Sequence, residues 1–192
     1  DAPEGVPISA IVFGGRRAQV APLVFEAKSW EHGVLVGAGT ASETTAAMVG
    51  DVGVVRRDPM AMKPFCGYNF GDYWAHWLSF DEKSDRLPRI FHVNWFRKDA
   101  DGQFMWPGFA QNMRVLEWIV KRCNHNGIAV ESPLGWIPDY HALNWEGLEF
   151  DEAKFYEIMN IDREKARHET NDQEELFTRF GDELPREMES ER

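Results

Sequence analysis

The sequence has little positive charge for its acidic content and no long apolar run, and each shortage excludes a class of protein. Lysine and arginine total 21 against 32 aspartates and glutamates, which gives a net charge of −11. Nucleic acid is therefore not an expected partner, because phosphate backbones are bound by clustered basic side chains. No apolar stretch approaches the roughly 20 residues that a membrane-spanning helix needs, so we expect no membrane association either.

Cysteine is also scarce. Cys66 and Cys123 are the only two, and they fit no metal-binding spacing. They favour two reduced thiols in a cytoplasmic protein, and a disulfide between them is the alternative. The chain starts with neither a methionine nor a secretory signal pattern, so we expect a piece of a longer protein.

Several common catalytic motifs are missing as well. The six histidines are scattered and form no HExxH, HxxxH or Cys/His cluster. No Ser-His-Asp set or paired-carboxylate pattern stands out. The phosphate-binding pattern GxxxxGK[ST] does not occur in the chain. The sequence therefore predicts neither a zinc site nor a P-loop within these residues.

What is present indicates a folded α/β protein, because apolar residues make up 43% of the 192 and runs typical of strands and helices are mixed. "ISAIVF" (8–13), "VGVVRR" (52–57) and "PRIFHVNWF" (88–96) predict strands. "PLVFEAKSWEHGVLVGAG" (22–39) is interpreted as a helix that ends in a strand, and "FCGYNFGDYWAHWLSF" (65–80) as a helix. We expect a mixed sheet with flanking helices.

The clearest predicted helix is "NMRVLEWIVKRC" (112–123). Its predicted apolar face consists of Met113, Leu116, Ile119, Val120 and Cys123. From residue 151 onward the pattern is helical and acidic, with 14 acidic and 7 basic residues in 151–192. A solvated helical face is the simplest interpretation of this C-terminal segment.

Two arginines follow the first predicted strand in "GGRRA" (14–18). Guanidinium groups at a strand end suit phosphate binding, and the two glycines allow close approach of the backbone. Ordinary surface ion pairs are the alternative and are common. The pattern alone favours the ion pairs.

A segment of small residues lies between glycines in "VGAGTASETTAAMVGDVG" (36–53). Thr40 to Glu43 fits a capping box, which predicts the start of a short helix. Small residues between glycine hinges suit a mobile lid. An ordinary flexible loop is the alternative.

Aromatic rings flank a polar turn in "NWFRKDADGQFMWPGFAQN" (94–112). Asp101-Gly102 predicts a hairpin-like reversal, which places Phe96 before the turn and two further phenylalanines after it. Rings that arrive from both sides of a turn can stack on a planar base, and the amide of Asn112 can read a base edge. The alternative is that the rings are core and that Asn112 caps a helix.

Taken together, the motifs resemble those of one family. "EGVPISAIVFGGRR", "GTASETTAA", "DPMAMKPFCGYNFGDYWAHWL", "FHVNWFRKD" and "FMWPGFAQN" occur in the order and spacing of GTP-dependent phosphoenolpyruvate carboxykinase. The resemblance covers about residues 3 to 140 and fades beyond residue 144. It implies the C-terminal portion of the nucleotide-binding domain over 1–150, followed by an acidic helical segment over 151–192.

The resemblance also implies a reaction. The family converts oxaloacetate and GTP to phosphoenolpyruvate, CO₂ and GDP in gluconeogenesis, through an enolate that takes the γ-phosphoryl group. It uses Mn²⁺ and Mg²⁺. The expected partners of this chain are therefore GTP or GDP and the remainder of a carboxykinase chain.

Site residues follow from the resemblance in the same way. It implies a guanine site over 96–112, an arginine at the phosphates and a lid over about 44–54 that closes to exclude water. The implied nucleotide-binding residues are Arg16, Phe96, Phe104, Phe109, Ala110, Gln111 and Asn112, with Arg17 as a less certain neighbour. The implied lid residues are Thr44, Thr45, Ala46 and Ala47.

The chain departs from the family pattern at several positions. Ala110-Gln111 stands where a Gly-Glu pair is usual, and Ala18 where a proline often follows the arginines. The middle of the lid, "MVGDVG", is less polar than in some relatives. The resemblance places the phosphate-cradling loop, the metal ligands and the oxaloacetate-binding arginines upstream of this chain, so we expect it to be inactive alone.

Two other functions are compatible with the same residues. One is a stand-alone module that binds guanine nucleotides or has a regulatory role. The other is an interaction domain whose acidic helical segment binds a protein, with the aromatic rings serving only as core. Guanine-selective binding would separate the interaction domain from the carboxykinase portion and the stand-alone module.

Overall fold

The computed structural model describes residues 3–45 and 51–191. A five-stranded mixed sheet has the order β1-β5-β2-β7-β6, and β3 and β4 form a separate two-stranded sheet. Only the β1–β5 pair is parallel among the strand pairs of these residues. The strands are β1 (Ala10–Gly14), β2 (Val24–Glu26), β3 (Ala41–Glu43), β4 (Val55–Arg57), β5 (Arg89–Val93), β6 (Val130–Ser132) and β7 (Gly135–Ile137).

Helices cover both faces of the larger sheet. They are α1 (Trp30–Ala38), α2 (Phe70–Leu78), α3 (Asn112–Cys123), α4 (Glu152–Met159), α5 (Arg163–Thr178) and α6 (Arg186–Glu191). The expected α/β class with a mixed sheet and flanking helices is confirmed. The predicted strands at β1, β4 and β5 and the predicted helices at α2 and α3 are also present.

Two apolar cores lie on opposite faces of β5, because successive side chains of a strand point to opposite sides. Phe91 and Val93 belong to the core under α3 and α4. Ile90 belongs to the core formed with α1, α2, α5 and α6. Helices from the acidic C-terminal segment contribute to both cores, through Phe155 in the first and Phe177 in the second, each 1% exposed.

The interpretation of residues 22–39 as helix then strand is wrong, since the structure has the reverse order. The strand β2 comes first, and Ser29 then caps α1 by accepting a hydrogen bond from the backbone N–H of His32 at 3.0 Å. Glycines in this helix allow close packing on the sheet. A Cβ added to Gly33 would lie 2.4 Å from Cδ1 of Ile90, so the close approach excludes a larger residue there.

Two further expectations need correction. Residues 40–43 do not begin a helix, because Ala41–Glu43 pair with Val55–Arg57 as an antiparallel hairpin that outweighs the local capping pattern. The helix over 112–123 is present, but Met113 and Val120 are 66% and 57% exposed. Its buried side consists of Val115, Trp118 and Ile119, because Trp118 packs edge-on against Phe91 at 5.9 Å.

The structure leaves Cys66 and Cys123 unpaired, as the composition predicts. No helix within the described part of the chain has both the length and the apolar character to cross a membrane.

Candidate functional site

The aromatic segment 94–112 forms the predicted reversal. Gly102 has a positive φ of 78°, and Lys98 and Phe104 form an antiparallel bridge across the turn. The carboxylate of Asp99 accepts hydrogen bonds from the backbone N–H groups of Asp101 and Gln103 at 3.0 and 2.8 Å. The turn therefore brings the segments on its two sides together.

Two of the three phenylalanines meet at this turn. The rings of Phe96 and Phe104 lie 6.1 Å apart in an edge-on arrangement of 71°. Phe104 is 54% exposed and Phe109 is 91% exposed, so these two rings are not core. Phe109 has no ring contact with the other two within the described structure. Trp106, which is 2% exposed, is instead the ring that anchors the segment in the core.

Asn112 lies at the start of α3, and its side chain is oriented by Trp106. The indole Nε1–H donates to Oδ1 of Asn112 at 2.8 Å. Because an indole N–H can only donate, this bond fixes which end of the amide is the oxygen. The Nδ2 group has no hydrogen-bond acceptor among the residues that the structure describes. Asn112 therefore has its amide donor available to a ligand, while its oxygen already accepts one hydrogen bond from Trp106.

The two residues before Asn112 lie in a short 3-10 helix over Phe109–Gln111 that follows Gly108. Ala110 is exposed. The side-chain oxygen of Gln111 accepts from Nε of Arg114 at 2.6 Å. The oxygen of the half-buried Gln111 side chain is thus engaged by Arg114.

Arg16 lies directly against the ring pair. Its guanidinium carbon is 4.0 Å from the centroid of Phe96. Its backbone is tied to β3, since its N–H donates to Ser42 Oγ at 3.1 Å and its carbonyl accepts from Glu43 N–H at 2.8 Å. A Cβ added to Gly15 would lie 2.0 Å from the carbonyl oxygen of Ala41, so the arginine loop and β3 approach each other closely there.

Arg17 is in a different environment from Arg16. It is 8% exposed and donates two hydrogen bonds to the carboxylate of Glu169 on α5, at 2.8 and 2.5 Å. Arg57 at the end of β4 donates to the same carboxylate at 2.5 Å. For Arg17, the ion-pair alternative therefore describes the geometry, with the difference that the pair is buried rather than on the surface.

The Glu169 carboxylate is held ionised by this pair of arginines. Burial by itself raises the pKa of Glu169, but the hydrogen bonds and positive charges of Arg17 and Arg57 outweigh burial, and its pKa is lowered. The cluster ties α5 both to the arginine loop and to the hairpin of β3 and β4. It therefore couples elements that are far apart in sequence.

A buried amide connects the arginine loop to the ring segment. Asn94 is fully buried, and its Nδ2 donates to the carbonyls of Arg17 and Ala21 at 2.9 and 3.0 Å. Its Oδ1 accepts from the backbone N–H groups of Arg17 and Phe96 at 3.3 and 3.2 Å. Asn94 thereby fixes the distance between the loop that carries Arg16 and the strand end that carries Phe96.

The ends of the predicted lid are joined by hydrogen bonds. The N–H of Thr44 donates to the carbonyl of Val54 at 2.9 Å, and the N–H of Gly53 donates to the carbonyl of Thr44 at 3.0 Å. Thr45 is half-buried. Ala46 and Ala47 lie outside the described residues. A cavity of about 460 Å³ adjoins the hairpin, lined in part by Thr44, Arg56 and Lys63.

A second cavity, of about 350 Å³, lies between the sheet and α5 and is lined in part by Arg17, His92 and Glu169. His92 stacks on Phe25 with 5.3 Å between ring centroids, and its Nδ1 has no hydrogen-bond partner in the described structure. Burial, with a smaller contribution from the charge of Arg17, lowers the pKa of His92 to about 4. The ring is therefore neutral near pH 7.

The depressed pKa predicts a loss of stability in mild acid. An unfolded histidine has a pKa of about 6.5, so the unfolded chain binds more protons between that pH and the folded pKa of His92, about 4. The contribution of His92 to the free energy of unfolding is complete above about pH 6.5 and is lost as the pH falls through this window. The contribution of Glu169 to the free energy of unfolding is lost at lower pH. It begins to fall only below 4.5, the ordinary pKa of a glutamate, because the folded pKa of Glu169 is lower still.

The measurement is the free energy of unfolding against pH from 4 to 7. We expect a clear fall for the unmodified chain and a much shallower one for His92→Gln. His168→Gln is the matched control, because that histidine is exposed on α5. Equal slopes for the unmodified chain and His92→Gln would contradict the prediction.

No cluster of three or more histidine, cysteine, aspartate or glutamate side chains that could hold a metal ion occurs in residues 3–45 and 51–191. The described residues therefore do not form a metal site of their own. Among the described residues, Arg16 lies against the ring of Phe96, which meets Phe104 edge-on, and Asn112 offers an amide donor at the start of α3.

Sequence reasoning missed the residues that hold this site together. Asn94 could have been found, because a lone amide inside the apolar run "IFHVNWF" suggests a buried polar group. Glu169 carried no such signal, since it lies 152 residues from Arg17 in an acidic helix of ordinary appearance. His92 was one of six scattered histidines, and only burial distinguishes it.

Comparison with known proteins identifies a family. The model described as phosphoenolpyruvate carboxykinase C-terminal P-loop domain matches residues 1–192. A protein of Thermoplasma volcanium named phosphoenolpyruvate carboxykinase [GTP] is 54% identical over 97% of this chain and 31% of its own length. Proteins of the same name from Chlamydia muridarum and Neocallimastix frontalis are each 50% identical, over 98% and 95% of this chain and 32% and 30% of their lengths. The chain thus spans about a third of the length of these relatives.

Proposed function

Because the chain belongs to the GTP-dependent phosphoenolpyruvate carboxykinase family, we propose that it supplies the guanine-binding part of such an enzyme. The whole protein would convert oxaloacetate and GTP to phosphoenolpyruvate, CO₂ and GDP, in the cytoplasm. The observation that carries the proposal is the exposed ring pair of Phe96 and Phe104 with Arg16 beside it. The partner of this chain would be the remainder of the carboxykinase.

The domain assignment follows the same proposal. Residues 1–150 would form the C-terminal portion of the nucleotide-binding domain, with the guanine site over 96–112 and the lid over about 44–54. Residues 151–192 would form the helical C-terminal segment. Supporting this, the buried contact of Glu169 with Arg17 and Arg57 fixes α5 against the loop and hairpin that border the site.

Base recognition would come from stacking and from one directed hydrogen bond. Exposed rings such as Phe104 and Phe109 offer flat apolar faces to a base. The available Nδ2 donor of Asn112 suits an acceptor. Guanine offers O6 where adenine has an N6 amino group, so a fixed donor favours guanine. Backbone groups of Ala110 and Gln111 would add contacts at the same edge.

The phosphates would be bound by Arg16, whose charge is available beside the rings. A guanidinium stabilises the negative charge that develops on a transferring phosphoryl group. Arg17 would act indirectly, by holding the loop through Glu169. The lid, with Thr44 and Thr45 at its first end and Ala46 and Ala47 following, would close over the site and exclude water. Mn²⁺ and Mg²⁺ would be held by the remainder of the enzyme, since the described residues form no site for them.

The proposal predicts guanine-dependent binding that fails in two variants. Stacking on one aromatic ring contributes about 1–3 kcal/mol per base, so Phe104→Ala should weaken GDP binding by between about five- and 150-fold. Asn112→Ala should weaken GDP binding while leaving any ADP binding unchanged. Titration calorimetry with GDP and ADP measures both effects, and GTP and ATP repeat the comparison with the triphosphates.

Phe65→Ala is the matched control for this experiment, because Phe65 is 76% exposed and lies outside the ring segment. It should leave GDP affinity unchanged. If Phe104→Ala and Asn112→Ala bind GDP as tightly as the unmodified chain, the assignment of the site is wrong.

We also expect the 192-residue chain to show no carboxykinase turnover by itself. It contains no GxxxxGK[ST] motif for the phosphates, and its described residues include no metal-binding cluster. The assay is GTP-dependent decarboxylation of oxaloacetate with Mn²⁺, using a full-length relative as the positive control. Turnover by the chain near that of the relative would contradict this prediction.

A further inference from the structure

Arg16 lies against the ring of Phe96, on which the proposed function expects a base to stack. Its guanidinium carbon lies 4.0 Å from the centroid of Phe96. A guanidinium is planar and stacks on aromatic faces, which a base does as well. The two groups therefore compete when they use the same face of Phe96.

Only part of Phe96 is exposed, so the Arg16 guanidinium and a base compete for a small area of ring surface. The residue is half-buried, Phe104 meets it edge-on at 6.1 Å, and its backbone N–H is held by Asn94 at 3.2 Å. Arg16 covers part of the surface that remains. A base that enters between the segments meets this guanidinium.

The side chain of Arg16 is also free to leave. It makes no hydrogen bond or ion pair with any of the described residues, whereas Arg17 is fixed by Glu169 at 2.5 Å. The backbone of Arg16 is held at both ends, by Ser42 and Glu43. The guanidinium can therefore swing away from the ring while the loop stays in place.

We infer that the guanidinium of Arg16 covers the Phe96 ring until a nucleotide arrives, which we call its placeholder role. An incoming guanine displaces the guanidinium, and the phosphates of the same nucleotide then bind it. This inference rests on the proposed function and couples the binding of the base to the binding of the phosphates. A nucleoside must displace the guanidinium without offering it a new partner. A nucleoside triphosphate offers one, because guanidinium–phosphate contacts are charge-assisted. The site thus favours complete nucleotides over bases and nucleosides.

The test compares guanosine with GTP on the unmodified chain and on Arg16→Ala. An exposed cation–π contact corresponds to about a two- to five-fold change in affinity, so guanosine should bind Arg16→Ala about two- to five-fold more tightly. GTP should bind the same variant more weakly than it binds the unmodified chain. Arg16→Lys keeps the charge but loses the planar stack, so it should also bind guanosine more tightly and lose less affinity for GTP.

Lys83→Ala is the control for general charge effects. Its ammonium lies 5.5 Å from the centroid of Phe80, so the variant removes one positive charge and one cation–π contact without uncovering a ring of the proposed site. Guanosine affinity should not rise in this variant. An equal rise in Lys83→Ala and Arg16→Ala would overturn the placeholder role, because charge alone would then explain it.

The remaining outcomes distinguish failure of the placeholder role from failure of the guanine site. If guanosine binds the unmodified chain but binds Arg16→Ala no more tightly, the placeholder role is wrong and the guanine site stands. If the unmodified chain binds neither guanosine nor GTP, the proposed function fails and this inference fails with it. Circular dichroism of each variant checks that the fold is retained.

Discussion

Replacing Glu169 with glutamine is expected to lower the free energy of unfolding by about 3 kcal/mol. The carboxylate is the shared partner of Arg17 and Arg57, and the side chains of all three are at most 14% exposed. Removing one member of a buried ion pair leaves charge that is desolvated and uncompensated. The acidic groups nearest to the two guanidiniums would then be Glu43 at 4.0 Å and Asp172 at 3.9 Å, both too distant for good hydrogen bonds.

Denaturant unfolding of Glu169→Gln against the unmodified chain measures this effect. Glu175→Gln is the matched control, because it makes the same chemical change at an exposed position of the same helix. We expect the control to differ from the unmodified chain by less than about 0.5 kcal/mol. A Glu169→Gln variant as stable as the control would show that the buried cluster contributes little.

Replacing Asn94 with alanine is expected to destabilise the fold by about 3 kcal/mol. The amide makes four hydrogen bonds, all to backbone groups of the arginine loop and the ring segment. Without it, backbone groups of Arg17, Ala21 and Phe96 lose partners at a fully buried position. Unsatisfied buried polar groups each cost about 1–3 kcal/mol, so the total exceeds that of a surface substitution.

Thermal or denaturant unfolding measures the stability of Asn94→Ala, and Asn126→Ala is its control because Asn126 is exposed after α3. Under the proposed function Asn94→Ala should also weaken GDP binding, since Asn94 sets the position of Phe96 against Arg16. Unchanged stability in Asn94→Ala would mean that water replaces the amide without penalty.

The sequence predicted the elements whose signals are local and periodic. The helix over 112–123 and the reversal at Asp101-Gly102 are where the pattern placed them, because amphipathic spacing and turn chemistry act over a few residues. The buried face of that helix was wrong because Val120 is apolar yet exposed. A periodic pattern does not say which of two apolar stripes a neighbouring sheet covers.

Residues 22–39 show where local signals fail. The run "GVLVGAG" resembles a strand, yet Gly33 and Gly37 lie in α1 and allow the helix to approach Ile90 and Phe13 closely. Pairing between β3 and β4 likewise replaced the helix that the capping pattern predicted at Thr40. In both cases tertiary contacts outweigh local propensity.

Only some residues of the candidate site could likewise be predicted from the sequence. The rings and Asn112 could be proposed from the sequence, because a turn brings flanking residues together over a short distance. The distinction between Arg16 and Arg17 could not, since it depends on Glu169 from a helix 152 residues away. Adjacent arginines with identical chemistry have different environments because only Arg17 meets the buried carboxylate of Glu169.

The comparison of GDP and ADP affinities on the unmodified chain tests the central claim most directly. Titration calorimetry of the two diphosphates keeps the phosphates constant and changes only the base. The donor that Trp106 fixes on Asn112 predicts GDP binding at least about tenfold tighter than ADP binding, because adenine would leave that donor facing another donor. Equal affinity for the two nucleotides, or binding of neither, would contradict a guanine site at residues 96–112.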